Sequence, residues 1–317
     1  MISFNPNKTL HIIEEFEGVV ADLFGTKHAV AVSSGTMADT IALAVLKNLN
    51  PEKKKVAVPA LTFIAQVNSI IYNGLEPAFY DVSPNEIPEE GLLCDFPVDL
   101  LGRMAHLERR GVPMIEDACE AMGSKFNGKY AGTYGDMGTF SFYDSHSVGL
   151  GEGGMIVTDN KEYADLARVL RNHGSRGGEV TEVFKFDVIG FNGKMAGAIA
   201  ARGIRSMTDE NLKNSFEYKR QIFLKLGGRE RLGEYVVPHG VLLLSDERDA
   251  KMKELYEAGI ESRRMFSCIP VEEKAYQYLG YRKGDFPVSE ELSRRGFYVP
   301  CHQNLISDEV EYIKSKI

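Results

Sequence analysis

The stretch HAVAVSSGTMADTIALAVLKNLNPEKKKVAVPALTFIAQVNSIIYNGLEPAFYDVS, residues 28–83, decides the fold. HAVAVSSGT (28–36) reads as a short apolar strand running into a Ser/Gly/Thr turn, and MADTIALAVLKNL (37–49) as a helix opened by that turn. VAVPALT (56–62) is a second strand, IAQVNSIIYNG (64–74) a helix that ends at Gly74, and EPAFYDVS (76–83) a third strand. Strand and helix alternate over short connections, which predicts parallel β-α-β units in an α/β fold.

Working outward, LHIIEEFEGVVADLF (10–24) has helical spacing and stops at Gly25. CDFPVDL (94–100) and VPMIEDAC (112–119) read as further strands, with a helix near 103–110 between them. Residues 126–160 are rich in Gly and aromatics and predict turns and short strands, and KEYADLARVLRNHG (161–174) is an amphipathic helix with a Gly stop. The second half predicts helices over 191–204, 211–226, 246–259 and 307–317, with strands over 236–244 and 260–266. The expected organisation is a large domain over 1–210 and a small α+β domain over 211–317.

Hydrophobic residues make up 44% of the 317 and charged residues 26%, which fits a soluble globular protein and excludes a disordered one. The net charge is 37 − 45 = −8, a poor basis for binding nucleic acid. No apolar run approaches the roughly 18 residues that span a bilayer. The first residues, MISFNPNKTLHIIEEFEG, place acids where a signal peptide would be apolar, so a cytoplasmic location is expected. Cys94, Cys119, Cys268 and Cys301 show no zinc-type spacing and read as reduced thiols.

Four segments carry chemistry. Ser33 to Thr36 offer hydroxyls and helix N-terminal N–H groups, which suit a phosphate as well as a simple helix cap. Asp117 ends an apolar strand, where ligands of open α/β sheets gather; it could bind a metal, cap a helix or face a cationic heterocycle. GLGEGG (149–154) lacks the spacing and following helix of a dinucleotide fingerprint and reads as a tight turn. His146 follows the strand FSFY (140–143).

Taken together these segments resemble the DegT-type sugar-nucleotide aminotransferase family, which has the aspartate-aminotransferase fold and uses pyridoxal phosphate. The resemblance runs in order through residues 16–38, 58–82, 97–104, 111–143, 151–160, 170–174, 190–195 and 297–313. It implies a large mixed-sheet α/β domain, a small C-terminal α+β domain and a homodimer. It makes Gly35, Thr36 and Ser141 holders of the cofactor phosphate, and Phe63 the aromatic stacked on the pyridine ring. Asp117 becomes the partner of the pyridine nitrogen, and Asn192 a residue that reaches the cofactor phosphate across the dimer interface. Glu120 stands near the cofactor, where the family usually has Gln.

One position departs from the pattern. The family Lys that bonds the cofactor lies five residues after the Ser of FSF, and here that position is His146. An imidazole cannot make that bond but can move protons. Lys-to-His exchange resembles the sugar 3-dehydratase branch, of the GDP-4-keto-6-deoxymannose 3-dehydratase type. That branch uses pyridoxamine phosphate, a 4-keto-6-deoxy nucleotide sugar and an amino donor such as glutamate. His173 falls where the branch has another active-site His. One subgroup holds an iron–sulfur cluster on close-spaced cysteines; none is so spaced here, so no metal is expected. Arg263 and Arg264 begin a segment like the family's substrate wall. The residues leave two other readings open: an aminotransferase whose Lys was replaced, by engineering or drift, and a non-catalytic binding relative.

Overall fold

The computed structural model describes residues 8–82, 87–88, 90–105, 109–176, 185–208 and 210–317. Helix α1 (Lys8–Phe24) leads to β1 (His28–Val32), α2 (Gly35–Leu49), β2 (Lys55–Pro59), α3 (Ile64–Tyr72) and β3 (Glu76–Tyr80), the alternation read from 28–83. Next come β4 (Leu92–Asp95), β5 (Ile115–Asp117), β6 (Lys125–Phe126), β7 (Lys129–Tyr130), β8 (Met137–Ser141) and β9 (Gly154–Thr158). Helices α4 (Lys161–Arg171), α5 (Gly197–Met207) and α6 (Leu212–Lys225) follow. The chain then forms β10 (Glu234–Tyr235), β11 (Gly240–Leu244), α7 (Arg248–Glu257), β12 (Arg263–Arg264) and α8 (Ile269–Glu272). It ends with α9 (Pro287–Arg295), β13 (Gly296–Pro300) and α10 (Ser307–Lys314).

The main sheet is mixed. β2 pairs in parallel with β3 and β4, and β5 in parallel with β8. Parallel bridges Asp95–Met114 and Val98–Asp117 join the two groups. The order is therefore β3-β2-β4-β5-β8-β9-β1. Only β9 runs against its neighbours, because it follows β8 through an irregular turn with no crossover helix.

Alternation along each strand feeds two cores. In β1, Val30 and Val32 enter one apolar cluster with Ile41, Val58, Ile115 and Ile156. Ala29 and Ala31 enter the other, with Phe16, Val20, Phe140 and Met155. Such two-sided burial makes a sheet sandwiched between helices. A third core joins Ile222, Phe223, Val241, Leu255, Phe297 and Val310 around the antiparallel sheet β11-β13-β12. Cys268, Ile269, Tyr276 and Phe286 return to the first core. The Asp81 carboxylate, past the end of β3, accepts from Val288 N (2.8 Å), Ser289 N (2.8 Å) and Ser289 Oγ (2.6 Å) at the start of α9.

Some elements differ from the sequence reading. The helix expected near 103–110 is not formed in its described residues: a 3-10 turn at Leu100–Gly102 precedes them, 103–105 and 109–110 are irregular chain, and 106–108 lie outside the described residues. The Asp99 carboxylate takes the Ala105 N–H (2.8 Å), a local bond that competes with a helix. Helix α5 starts at 197, not 191, because residues 192–194 pair with Asn172 and Val32 instead. The strand expected at 260–266 shrinks to β12.

Candidate active site

The first turn of α2 builds a cradle. Ser34 caps the helix, its side chain accepting from Met37 N at 3.1 Å, and leaves the other first-turn N–H groups facing a cavity. Ser141, at the end of β8, closes the opposite side. A Cβ on Gly35 would stand 2.7 Å from Ser141 Cβ and 3.1 Å from Cys119 Sγ, so the close approach of α2 to β8 requires glycine. A parallel bridge from Ser34 to Gly153 sets the GLGEGG turn behind the cradle.

The cavity, about 380 Å³, is lined by Gly35, Thr36, Phe63, Asp117, Glu120, Ser141 and His146 among others. Seven of the nine site residues expected from sequence are thus brought together. Phe63 precedes α3 and is 51% exposed, large for an aromatic, with its ring 5.3 Å from Phe266. Asp117 is buried and accepts from Cys119 N at 3.1 Å. Burial pushes its carboxyl up to about 6, against the pull of the Cys119 hydrogen bonds, with Glu120 adding to the rise. Asp39, buried on α2, takes a hydrogen bond from Thr139 Oγ1 (2.7 Å), and donor atoms of Asp39, Asp117 and Cys119 lie within 4.8 Å of one another.

The far wall holds a second group of ionisable side chains. The His146 and His239 ring centroids are 5.1 Å apart. His239 Nε2 lies 3.6 Å from Glu120 Oε1, and Glu120 Oε2 accepts from Leu101 N at 2.7 Å. Lys219, buried on α6, donates to Ser147 Oγ at 3.0 Å. Burial, then His239 and Lys219, lower the His146 imidazole to about 3. Burial, then Lys219 and Arg263, lower His239 to about 4. Burial lifts Glu120 to about 7, against the Leu101 hydrogen bond, and lowers Lys219 to about 8. A second cavity of about 350 Å³ adjoins the first and shares His146, His239, Arg263 and Tyr298 with it.

His173 and Asn192 do not line this cavity. Both are exposed and lie together, through the Asn172–Asn192 bridge and a His173 N–Phe191 O bond (2.8 Å). Arg263 and Arg264 are both exposed; Arg263 lines the cavity and pairs with Glu261 at 2.9 Å, while Arg264 pairs with Asp249 at 2.7 Å. Sequence reasoning missed Asp39, Lys219 and His239. Asp39 was detectable as an acid inside an otherwise apolar helix stretch. Lys219 and His239 carried no local signal, since only the tertiary fold buries them.

The donors fit a phosphorylated pyridine. Helix N–H groups and the hydroxyls of Ser34, Thr36 and Ser141 suit the phosphate. Asp117 suits a protonated ring nitrogen, and Phe63 is an aromatic face beside both. The model of the DegT/DnrJ/EryC1/StrS aminotransferase family matches residues 7–88 and 91–317. The chain belongs to this family. Its fold is that of the family's pyridoxal-phosphate enzymes, a mixed α/β architecture.

GDP-perosamine synthase of Caulobacter vibrioides is 31% identical to it, over 95% of this chain and 88% of the relative. GDP-4-keto-6-deoxy-D-mannose 3-dehydratase of an Escherichia coli strain is 29% identical, over 95% and 90%. A solved Escherichia coli GDP-4-keto-6-deoxy-D-mannose-3-dehydratase with bound hydrated pyridoxal phosphate superposes with a TM-score of 0.82 at 25% identity, covering 96% of this chain and 91% of that one. The cofactor of this DegT-family chain is pyridoxal phosphate or its pyridoxamine form. No described helix is long and apolar enough to cross a membrane.

Proposed function

We propose that the protein removes the C3 hydroxyl from a nucleotide-linked 4-keto-6-deoxy sugar, with an amino donor such as glutamate. The observation that carries this reading is His146, an imidazole on the cavity wall at the position of the family's cofactor-bonding Lys. Pyridoxamine phosphate, when bound, supplies an amine for the C4 ketone and a ring that accepts electrons. The chain supplies the rest. Thr36, Ser141 and the α2 N-terminus hold the phosphate, and Gly35 gives it room. Asp117 keeps the ring nitrogen protonated, Phe63 covers the ring, and Glu120 stands near it.

His146 takes the proton released beside the ring and returns it to the leaving hydroxyl. The surroundings keep its imidazole neutral at working pH, the form that accepts a proton.

His173 and Asn192 enter the reading through a second copy of the chain. Phe186 and Ile189, a few residues before Asn192 in the chain, are 55% and 95% exposed, apolar surface of the kind that a homodimer would cover. The cofactor-phosphate site then includes Asn192 of the other protomer. The proposed location is the cytoplasm, and the proposed domains are 1–210 and 211–317.

The test is to load the protein with cofactor and glutamate, add 4-keto-6-deoxy nucleotide sugars, and identify the products. A 3-deoxy-4-keto sugar with ammonia supports dehydration, and a 4-amino sugar as main product refutes it. The similarity to GDP-perosamine synthase favours a second reading, an aminotransferase that lost its Lys. That reading expects His146→Lys to give robust transamination, whereas a dehydratase loses its elimination activity.

A further inference from the structure

His146, His239 and Glu120 come from three distant parts of the chain: the turn after β8, the start of β11 and the segment after β5. The His239 side chain is 7% exposed and the Glu120 side chain 11%. Nδ1 of His146 and Nδ1 of His239 are both buried and have no hydrogen-bond partner. The other end of His239, Nε2, faces Glu120 Oε1 at 3.6 Å. Glu120 is held in place by Leu101 N, and the His239 backbone N donates to Leu101 O at 3.2 Å.

We propose that His239 and Glu120 form a proton relay with His146, in which His239 passes to Glu120 the proton that His146 takes up, and the same path carries a proton back to His146 for the leaving hydroxyl. This deepens the dehydratase reading and rests on it for the source of the proton. The step makes two linked transfers, moves one proton net from His146 to Glu120, and moves no electrons. His239 Nδ1 gains the proton that His146 releases, and His239 Nε2 gives its own to Glu120 Oε1. His239 is a positioning residue that acts through His146.

Burial first, and the surrounding charges second, drive the proton in this direction. Lys219 on α6 presses on both imidazoles, and Arg263 of β12 presses on His239. Tyr298 of β13 faces His239, with ring centroids 6.1 Å apart. Both imidazoles, at about 3 and about 4, hold a proton far less well than Glu120, at about 7. An isolated His146 is too weak a base near neutral pH, whereas the linked set holds a proton with an affinity matched to that pH.

The first test reads the protein without substrate. ¹⁵N-histidine NMR across pH 4–9 is expected to show the His146 and His239 signals shifting together near pH 7, the step belonging to Glu120. Glu120→Gln should remove that step. The second test uses whichever nucleotide sugar the protein turns over. The acid limb of kcat/KM, expected near pH 7, should move down by about two units or more in both Glu120→Gln and His239→Asn. Added imidazole should restore kcat to His239→Gly at least several-fold. Histidine signals with no step near pH 7, or an acid limb unmoved in both variants, overturn the relay. The NMR arm needs no turnover, so failure of the dehydratase reading leaves it standing.

Discussion

At Gly35 a single hydrogen atom decides how closely α2 can approach β8. Gly35→Ala puts a methyl 2.7 Å from Ser141 Cβ, so α2 or β8 must move. The expected result is a loss of about 1–3 kcal/mol in unfolding free energy. Cofactor affinity should fall at least about tenfold, the scale of 1.4 kcal/mol. Thermal unfolding and fluorescence titration with pyridoxal phosphate measure the two. Glu120 gives a pH prediction. Its folded-state pKa, about 7, is above the ordinary 4.5, so its stabilising contribution is present below 4.5 and lost as pH rises through 7. His146 and His239 act in the opposite sense: with folded values near 3 and 4, they favour the folded state as pH rises toward 6.5. Relative to the wild type, Glu120→Gln should therefore gain stability between pH 5 and 8, by at most about 3 kcal/mol. Urea unfolding at fixed pH values reads that difference, and a flat difference across the range refutes it.

Among the elements, α9 depends on a carboxylate from far away in sequence. Asp81 satisfies two of the orphan N–H groups at the start of α9 and binds the Ser289 hydroxyl. Asp81→Ala should cost about 1–2 kcal/mol, as loss of a capping side chain does. Hydrogen exchange should then quicken in α9 and β13 before it quickens in α2. The units from β1 to β3 were legible because their periods are unambiguous and their turns short. Helix α9, PVSEELSRR, was not read in advance, although its Pro is well placed in the first turn. The direction of β9 was hidden too, since nothing in GMIVT states which way it runs. That Gly35, Thr36 and Asp117 share one cavity was legible because they lie where a strand meets a turn. His239 and Lys219 were not, because burial after folding gives them their chemistry.

In the whole molecule, the two expected site residues outside the cavity become the test of assembly. If Asn192 serves the other protomer's site, mixing Asn192→Ala with His146→Asn chains restores one intact site per hybrid dimer. Random reassortment should then recover about a quarter of wild-type activity from two nearly inactive parents, since half the dimers are hybrids with one good site. No recovery, with hybrids shown to form by mass spectrometry, would refute the shared site.

The clasp at Asp81 has a consequence for how such a protein diversifies. Helix α9 runs without a linker into β13, whose Tyr298 lines the cavity. The end of β3 is therefore geared to that wall of the cavity. Lengthening or trimming the chain after residue 82 would tilt that wall without changing any residue that touches a ligand. Sugar preference in this lineage could thus drift by insertion and deletion at a distance, leaving the cofactor machinery untouched.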